Sequence, residues 1–286
     1  MEFRTIVDIP ASAVKIEPHD SVLLVGSCFA DGIGRRFSEE RFPTTVNPYG
    51  TMYNPASILH TVERLAPQSP LGSAVLHGKE PSTFCPSWAF LTLGTNHVYR
   101  EKATGEIVDN CQKRPANLFT EEELTVEQCA DYLHRTLEVL RGWSPDIHVV
   151  LTVSPIRYRK YGYHESQLSK ATLLLSIQRL ITLHLSPSTL HYFPAYEIMN
   201  DELRDYRFYA ADMLHPSEQA VDYIWERLVE FCFSPAAKQW LEDWRPVKQA
   251  LAHKPFDADS EEYKIFMDKT MLKVAELRKK YSTFAL

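Results

Sequence analysis

The hydrophobic pattern of the chain switches repeatedly between two periods. Short continuous apolar runs, Val22–Val25, Trp88–Gly94, Ile147–Val153 and Leu190–Phe193, read as strands, the first of them buried on both faces. Phe42–Val46 reads as a further short strand and Arg4–Ile9 as an N-terminal one. Between the runs, apolar residues recur at helical spacing. Phe29, Ile33 and Phe37 alternate with Arg35, Arg36, Glu39 and Glu40, and a stripe of Val126, Cys129, Ala130, Leu133, Leu137 and Leu140 ends at Gly142. Asn54 and Pro55 suit the N-cap and first position of a helix over Ala56–Leu65. Either Thr120 or Thr125 caps the next helix, Leu168–His184 follows, and Ser217 caps Glu218–Phe231. Val98–Tyr99 and Glu106–Val108 flank a turn and predict a β-hairpin. Residues 67–87, rich in Pro, Ser and Gly, predict an excursion from the sheet.

Strands alternating with helices through residue 232 predict a three-layer α/β/α fold with a mainly parallel sheet. Trp240–Leu251 and Ser260–Lys280 are two more amphipathic stretches. The chain thus divides into an α/β domain over residues 1–233 and a helical C-terminal extension over 234–286, packed on it.

Composition narrows the function classes. The 286 residues carry a formal net charge of −6 without a basic block, which argues against a nucleic-acid partner. No apolar run reaches the length of a membrane span, and the N-terminus has no signal-peptide pattern, so a cytoplasmic protein without a membrane partner is expected. The five cysteines, Cys28, Cys85, Cys111, Cys129 and Cys232, are odd in number and scattered, with no CxxC pair. They predict reduced thiols, not a disulfide framework, and no metal or cofactor is expected.

Candidate chemistry starts at Gly26-Ser27-Cys28. A strand feeding a helix through a tight turn places that turn at the carboxyl edge of a parallel sheet, where such sheets bind ligands. The first amides of the helix then point at Ser27 and Cys28, which predicts a lowered thiol pKa. Asp212 and His215, three apart in a loop after the last strand, can act together, the carboxylate orienting the imidazole. Gly50 can present its amide to a ligand. The loop Arg157–His164 is basic and aromatic and suits an anionic substrate.

Gly26-Ser27-Cys28-Phe29-Ala30 is the motif for which the GSCFA-domain family is named. Asn47-Pro48-Tyr49-Gly50-Thr51, Thr92-Leu93-Gly94-Thr95, Asn110-Cys111-Gln112-Lys113, Asp201–Tyr209 and Asp212–Pro216 resemble further blocks of it, in order. That family resembles the SGNH, or GDSL-type, hydrolases. The resemblance implies a flavodoxin-like α/β/α sandwich with hydrolase-type machinery over roughly residues 4–232. Against the superfamily's Gly-Asp-Ser-Leu-Ser-Asp-Gly pattern, Gly26, Asp31 and Gly32 match, Ser27 takes the place of Asp, and Cys28 takes that of the nucleophilic Ser. The register nominates Cys28, with Ser27 as its rival. The superfamily's oxyanion donors map to the nucleophile's amide, Gly50, and either Asn96, in Gly94-Thr95-Asn96-His97, or Asn110.

The implied activity is hydrolysis of an acyl ester or thioester, on a small molecule or a glycan, by Cys28, His215 and Asp212. Two alternatives stand beside it: transfer of the acyl group from a carrier to a glycan or other hydroxyl, and ligand binding without catalysis. The oligomeric state is left open.

Overall fold

The computed structural model describes residues 4–10, 12–67, 85–111, 113–183 and 189–281. Most of the predicted excursion at 67–87 lies outside them. The main sheet contains β1 (Val22–Gly26), β2 (Thr44–Val46), β3 (Trp88–Leu93), β7 (His148–Val153) and β8 (Leu190–Tyr192), in the order β2-β1-β3-β7-β8, and every pairing is parallel. Counted along the main sheet alone, this is the flavodoxin-like order 2-1-3-4-5, with its topological switch point between β1 and β3. A ligand site is therefore expected where β1 and β3 end.

Alternation along each strand explains the three layers. Val22 and Leu24 of β1, and Trp88 and Phe90 of β3, enter one apolar cluster; Leu23, Val25, Ala89, Leu91 and Leu93 enter the other. Successive side chains point to opposite faces, so a continuous apolar run is what a strand covered on both sides requires. The first cluster is completed by α1 (Cys28–Glu39), the short α5 (Ala195–Glu197), α6 (Glu218–Cys232), α7 (Pro235–Leu251) and α8 (Glu261–Lys280). The second is completed by α2 (Pro55–Leu65), α3 (Val126–Trp143) and α4 (Tyr163–Leu183). No described helix is long and apolar enough to cross a membrane.

The expected caps form where the side chains can supply them. Asn54 Oδ1 accepts from the Ser57 amide at 2.9 Å, with Pro55 opening α2. Thr125 and Gln128 make a reciprocal capping box on α3, so Thr125, not Thr120, starts that helix.

Three expectations need correction. Phe119–Glu123 is a strand, β6, antiparallel to β4 (His97–Glu101), which also pairs with β5 (Ile107–Val108). The acidic run resembled a helix cap, but its carboxylates are matched across the sheet: Arg100 grips Glu122 at 3.1 Å, and Tyr99 donates to Glu121 at 2.9 Å. Arg4–Ile9 forms no strand. Its backbone is tied down by side chains instead, with Val7 N–H donating to the buried carboxylate of Glu202 at 2.8 Å and Val7 C=O accepting from Arg227. Finally, α4 begins at Tyr163, so the end of the predicted basic loop is helical.

Gly34 sets how closely α1 approaches β2. A Cβ added there would sit 2.4 Å from a methyl of Val46. Gly34→Ala is therefore expected to lose about 1–3 kcal/mol through overpacking, measured as a lower urea midpoint. Adding Val46→Ala should restore most of it; an unchanged midpoint in the single variant contradicts the contact.

α7 closes the far end of α1. The indole N–H groups of Trp240 and Trp244 donate to Glu40 O and Glu39 O, each at 2.8 Å, and the two rings stack with centroids 5.8 Å apart. They satisfy carbonyls that the helix end leaves without intrahelical partners.

Candidate active site

The turn between β1 and α1 is held from three sides. Gly26 has φ +148°, and a Cβ on it would lie 2.2 Å from Thr92 O of β3. Its amide donates to Asn47 Oδ1 at 2.8 Å, and its carbonyl accepts from Met52 N–H at 2.8 Å. The other end of the same Asn47 side chain donates to Asp31 at 2.7 Å. Asn47, itself at φ +38°, thus clamps the turn to the first coil of α1. The Asn-Pro-Tyr-Gly stretch contributes through its asparagine more than through its glycine.

Ser27 is spent on structure. It is 1% exposed, adopts the extended N-cap conformation, and its Oγ accepts from Phe29 N–H at 3.3 Å while lying 3.2 Å from Thr92 Oγ1. That neighbour is also buried, so the hydroxyl has no open path to a substrate. Cys28, the first helical residue, is only half-buried.

The expected lowering of the thiol pKa is not what this environment produces. Burial pushes the Cys28 thiol above its ordinary value, and Asp31 adds to that; the first amides of α1 and the charge of Lys170 pull the other way and are outweighed. Desolvation of a thiolate exceeds the stabilisation a helix terminus supplies here. Cys28 therefore needs a proton acceptor before it can act as a nucleophile.

The Asp212–His215 pair is built as a tight loop. Asp212 Oδ1 accepts from the amides of Leu214 and His215 at 2.9 and 3.0 Å, and Asp212 Oδ2 meets His215 Nδ1 at 2.5 Å. The backbone amides of His215 and Leu214, then the imidazole, hold the carboxyl down to about 2. It therefore stays ionised at ordinary pH and fixes the ring. Arg157 N–H donates to Leu214 O at 3.0 Å, which brings this loop against the segment following β7. Glu218, three residues on, is ion-paired with Arg35 and Arg36 of α1 at 2.9 and 2.8 Å. The loop and α1 are thereby anchored to each other. Among the described residues, however, no hydrogen bond joins the Cys28 thiol to the His215 ring.

The predicted oxyanion donors scatter. The Gly50 amide donates to Asn47 O at 2.8 Å, closing its own turn, so it is not free for a ligand. Asn96 is 3% exposed, and its Nδ2 donates to Leu124 O at 2.8 Å, beneath the small sheet. Asn110 is exposed and borders a cavity of about 620 Å³, as do Cys111, Tyr53 and Tyr158. Of the two asparagines, Asn110 is thus the one that borders the cavity. Cys28's own amide lies ahead of the first intrahelical bond, where such groups have no helical partner.

That cavity is the chief feature sequence reasoning missed. Its wall is formed by β4, β6 and the 158–161 loop: the His97 ring stacks on Tyr161 at 3.8 Å, and Lys160 meets Glu121 at 3.3 Å. Tyr53 links it to the head of α1, since burial and then the nearness of Cys28 push its phenol up. Two cations of the predicted anion-binding loop, Lys160 and Arg157, are already engaged. Lys160 is paired with Glu121, and Arg157 packs against the rings of Tyr163, Tyr209 and Tyr206 at 4.5 to 5.7 Å while donating to Met213 O. Below the cavity, Asp109 bonds His60 at 2.7 Å and also Arg64, tying the end of β5 to α2.

Solved structures similar to the chain include a lipolytic protein of the G-D-S-L family from Veillonella parvula (12% identity, 73% of this chain and 96% of that one, TM-score 0.45). Others are a carbohydrate esterase of family 3 from Talaromyces cellulolyticus (11%, 78% and 99%, 0.41) and one of family 2 from Corynascus thermopiles (14%, 83% and 68%, 0.43). No curated protein matches. The GSCFA family matches residues 21–80 and 79–228, and the C-terminal domain of GSCFA domain proteins matches residues 244–286. With most of its length matched in this way, and with Gly26-Ser27-Cys28 at the head of α1, the chain belongs to the GSCFA family.

Proposed function

We propose that the protein is an acyl-ester or thioester hydrolase in which Cys28 is the nucleophile. The observation that carries this reading is the contrast at the head of α1. Ser27 is buried and consumed by capping, while the neighbouring thiol is half-exposed at the switch point of the sheet, near Tyr53, which lines an open cavity. His215, oriented by Asp212, accepts the thiol proton as Cys28 attacks the acyl carbonyl. The C–S bond forms and the carbonyl π bond becomes an oxyanion, facing the Cys28 amide and, from the cavity side, Asn110. Collapse expels the alcohol or thiol, which takes the proton back from His215. Water, deprotonated by His215, then releases the acid and restores the thiol. The imidazole must close on the sulfur when substrate binds; catalytic hydrogen bonds commonly tighten only in that complex.

A panel of acyl esters and thioesters of increasing acyl length tests the reading. His215→Ala is expected to lower kcat by about 100- to 10,000-fold while the fold is retained, the range for removing a general base. Asp212→Asn should lower it less and leave KM nearly unchanged. Turnover of every substrate at the wild-type rate in His215→Ala overturns the assignment of the base.

A further inference from the structure

Lys170 is a cation held where charge is hardest to keep. It lies on the inner face of α4, in line with Leu173, Ile177 and Leu180, and is 3% exposed. Its Nζ donates to Gly94 O at 2.6 Å and Ser154 O at 2.9 Å, the carbonyls just past the ends of β3 and β7. Among the described residues no carboxylate forms an ion pair with it. Two neutral acceptors are poor compensation for a buried ammonium, which normally requires an anion.

The sheet register shows which anion is at hand. Gly26 pairs with Thr92 and Ser27 N–H donates to Thr92 O at 3.0 Å, so Cys28 opens α1 beside the end of β3, whose chain reaches Gly94 two residues later; Leu93 pairs with Val153 and Ser154 N–H donates to Leu93 O at 2.8 Å, which sets Gly94 beside Ser154. Adjacent strands lie about 4.8 Å apart. The ammonium therefore bridges the ends of β3 and β7, at the same edge of the sheet as the head of α1. The other groups facing the pair do not replace it. Asp31, on the same helix, opposes a thiolate, and Tyr53 approaches from the loop before α2. On the lysine's side, the Tyr196 ring lies 5.9 Å away, and Arg157 and Tyr163 border the same narrow cleft. Burial pulls Lys170 down to about 7, with Cys28 acting in the opposite direction.

We propose that Lys170 is a positioning residue for the nucleophile: its ammonium, pinned by Gly94 O and Ser154 O, stabilises the negative charge of the Cys28 thiolate. The inference deepens the reading of Cys28 as a nucleophile but does not depend on any substrate. Below about pH 7, where Lys170 is charged, ionisation sends the thiol proton to solvent or to His215; above it the proton is taken up by the Lys170 amine, and the same thiolate–ammonium pair results. The lysine thus offsets the burial that otherwise holds the thiol protonated.

The test follows iodoacetamide alkylation of Cys28 in the full-length chain from pH 6 to 11, resolved from Cys85 and Cys111 by peptide mass spectrometry. Lys170→Gln keeps a donor for the carbonyls and removes the charge; Lys170→Met removes both. Both are expected to move the alkylation midpoint upward and slow alkylation about tenfold at a fixed pH below it, one pKa unit being a factor of ten. A purely structural role predicts a wild-type profile for folded Lys170→Gln, which overturns the proposal. Coupling between two sites is reciprocal, so a second measurement needs no lysine variant. Lys170, followed by the NMR shift of its Cε, should titrate lower in Cys28→Ala than in wild type, and an unmoved titration also overturns it. Shifted profiles without ester turnover would sink the hydrolase reading alone; Cys28-dependent turnover with unmoved profiles would sink the lysine's role alone.

Discussion

Cys28→Ala is expected to abolish ester and thioester turnover, with kcat/KM falling at least about 1000-fold, because loss of a covalent nucleophile leaves only what binding and oxyanion donors contribute. The fold should survive. The side chain is half-exposed at the first helical position, and Ala is well tolerated inside a helix. Equal melting temperatures for the two proteins would therefore accompany the loss. Ser27→Ala makes the complementary case. It removes the cap from α1 and should cost about 1 kcal/mol of stability while keeping Cys28-dependent chemistry. Full turnover in Cys28→Ala combined with loss in folded Ser27→Ala would exchange the two roles. Because burial raises the Cys28 thiol, the rate of the free enzyme should climb with pH through neutrality. A flat profile there would mean that the thiolate is already formed.

Gly26→Ala should have the largest effect on stability. A methyl at this position meets Thr92 O at 2.2 Å and Thr92 N at 2.8 Å, both backbone atoms of the adjacent strand, so no rotamer change relieves the clash. The backbone angle of +148° is also one that L side chains rarely adopt. Relief requires β1 and β3 to part, where Gly26 and Thr92 are paired and Ser27 N–H donates to Thr92 O at 3.0 Å. A loss of about 3–5 kcal/mol is expected, within the range reserved for overpacking combined with backbone strain, and urea denaturation measures it. A loss below about 1 kcal/mol would show that the turn relaxes freely.

Much of the frame was legible in the apolar runs, since a strand covered on both faces leaves an unbroken hydrophobic signature, as in β1 and β3. Short strands at the periphery were harder. Phe119–Glu123 carries three glutamates in a row, and only their cross-strand partners Tyr99 and Arg100, distant in sequence, make a strand of it. At the site, local geometry was readable where one motif makes it: the strand-turn-helix that puts Cys28 at the head of α1, and the spacing that lets Asp212 hold the His215 ring. Those that act through tertiary contacts were not. Gly50 and Asn96 satisfy motif and type, yet nothing local reveals that their donors are taken by Asn47 O and Leu124 O. Lys170 did leave a trace, as a lysine in register with the apolar stripe Leu173, Ile177 and Leu180. A cation on the buried face of a helix is a reason to look for an anion.

The two indoles that end α1 bear on how this chain can be divided. Trp244, Val247, Val274 and Leu277 belong to the same apolar cluster as Phe37 and Trp225. A cut after residue 234 would therefore not separate two bodies. It would strip a wall from one and return two carbonyls of α1 to water. An excised fragment lacking that wall would report on a loosened helix, and weak activity in it would say little about Cys28. The thermal stability of the Cys28 end of α1 should therefore be governed in part from the opposite end of the same helix, by Trp240 and Trp244.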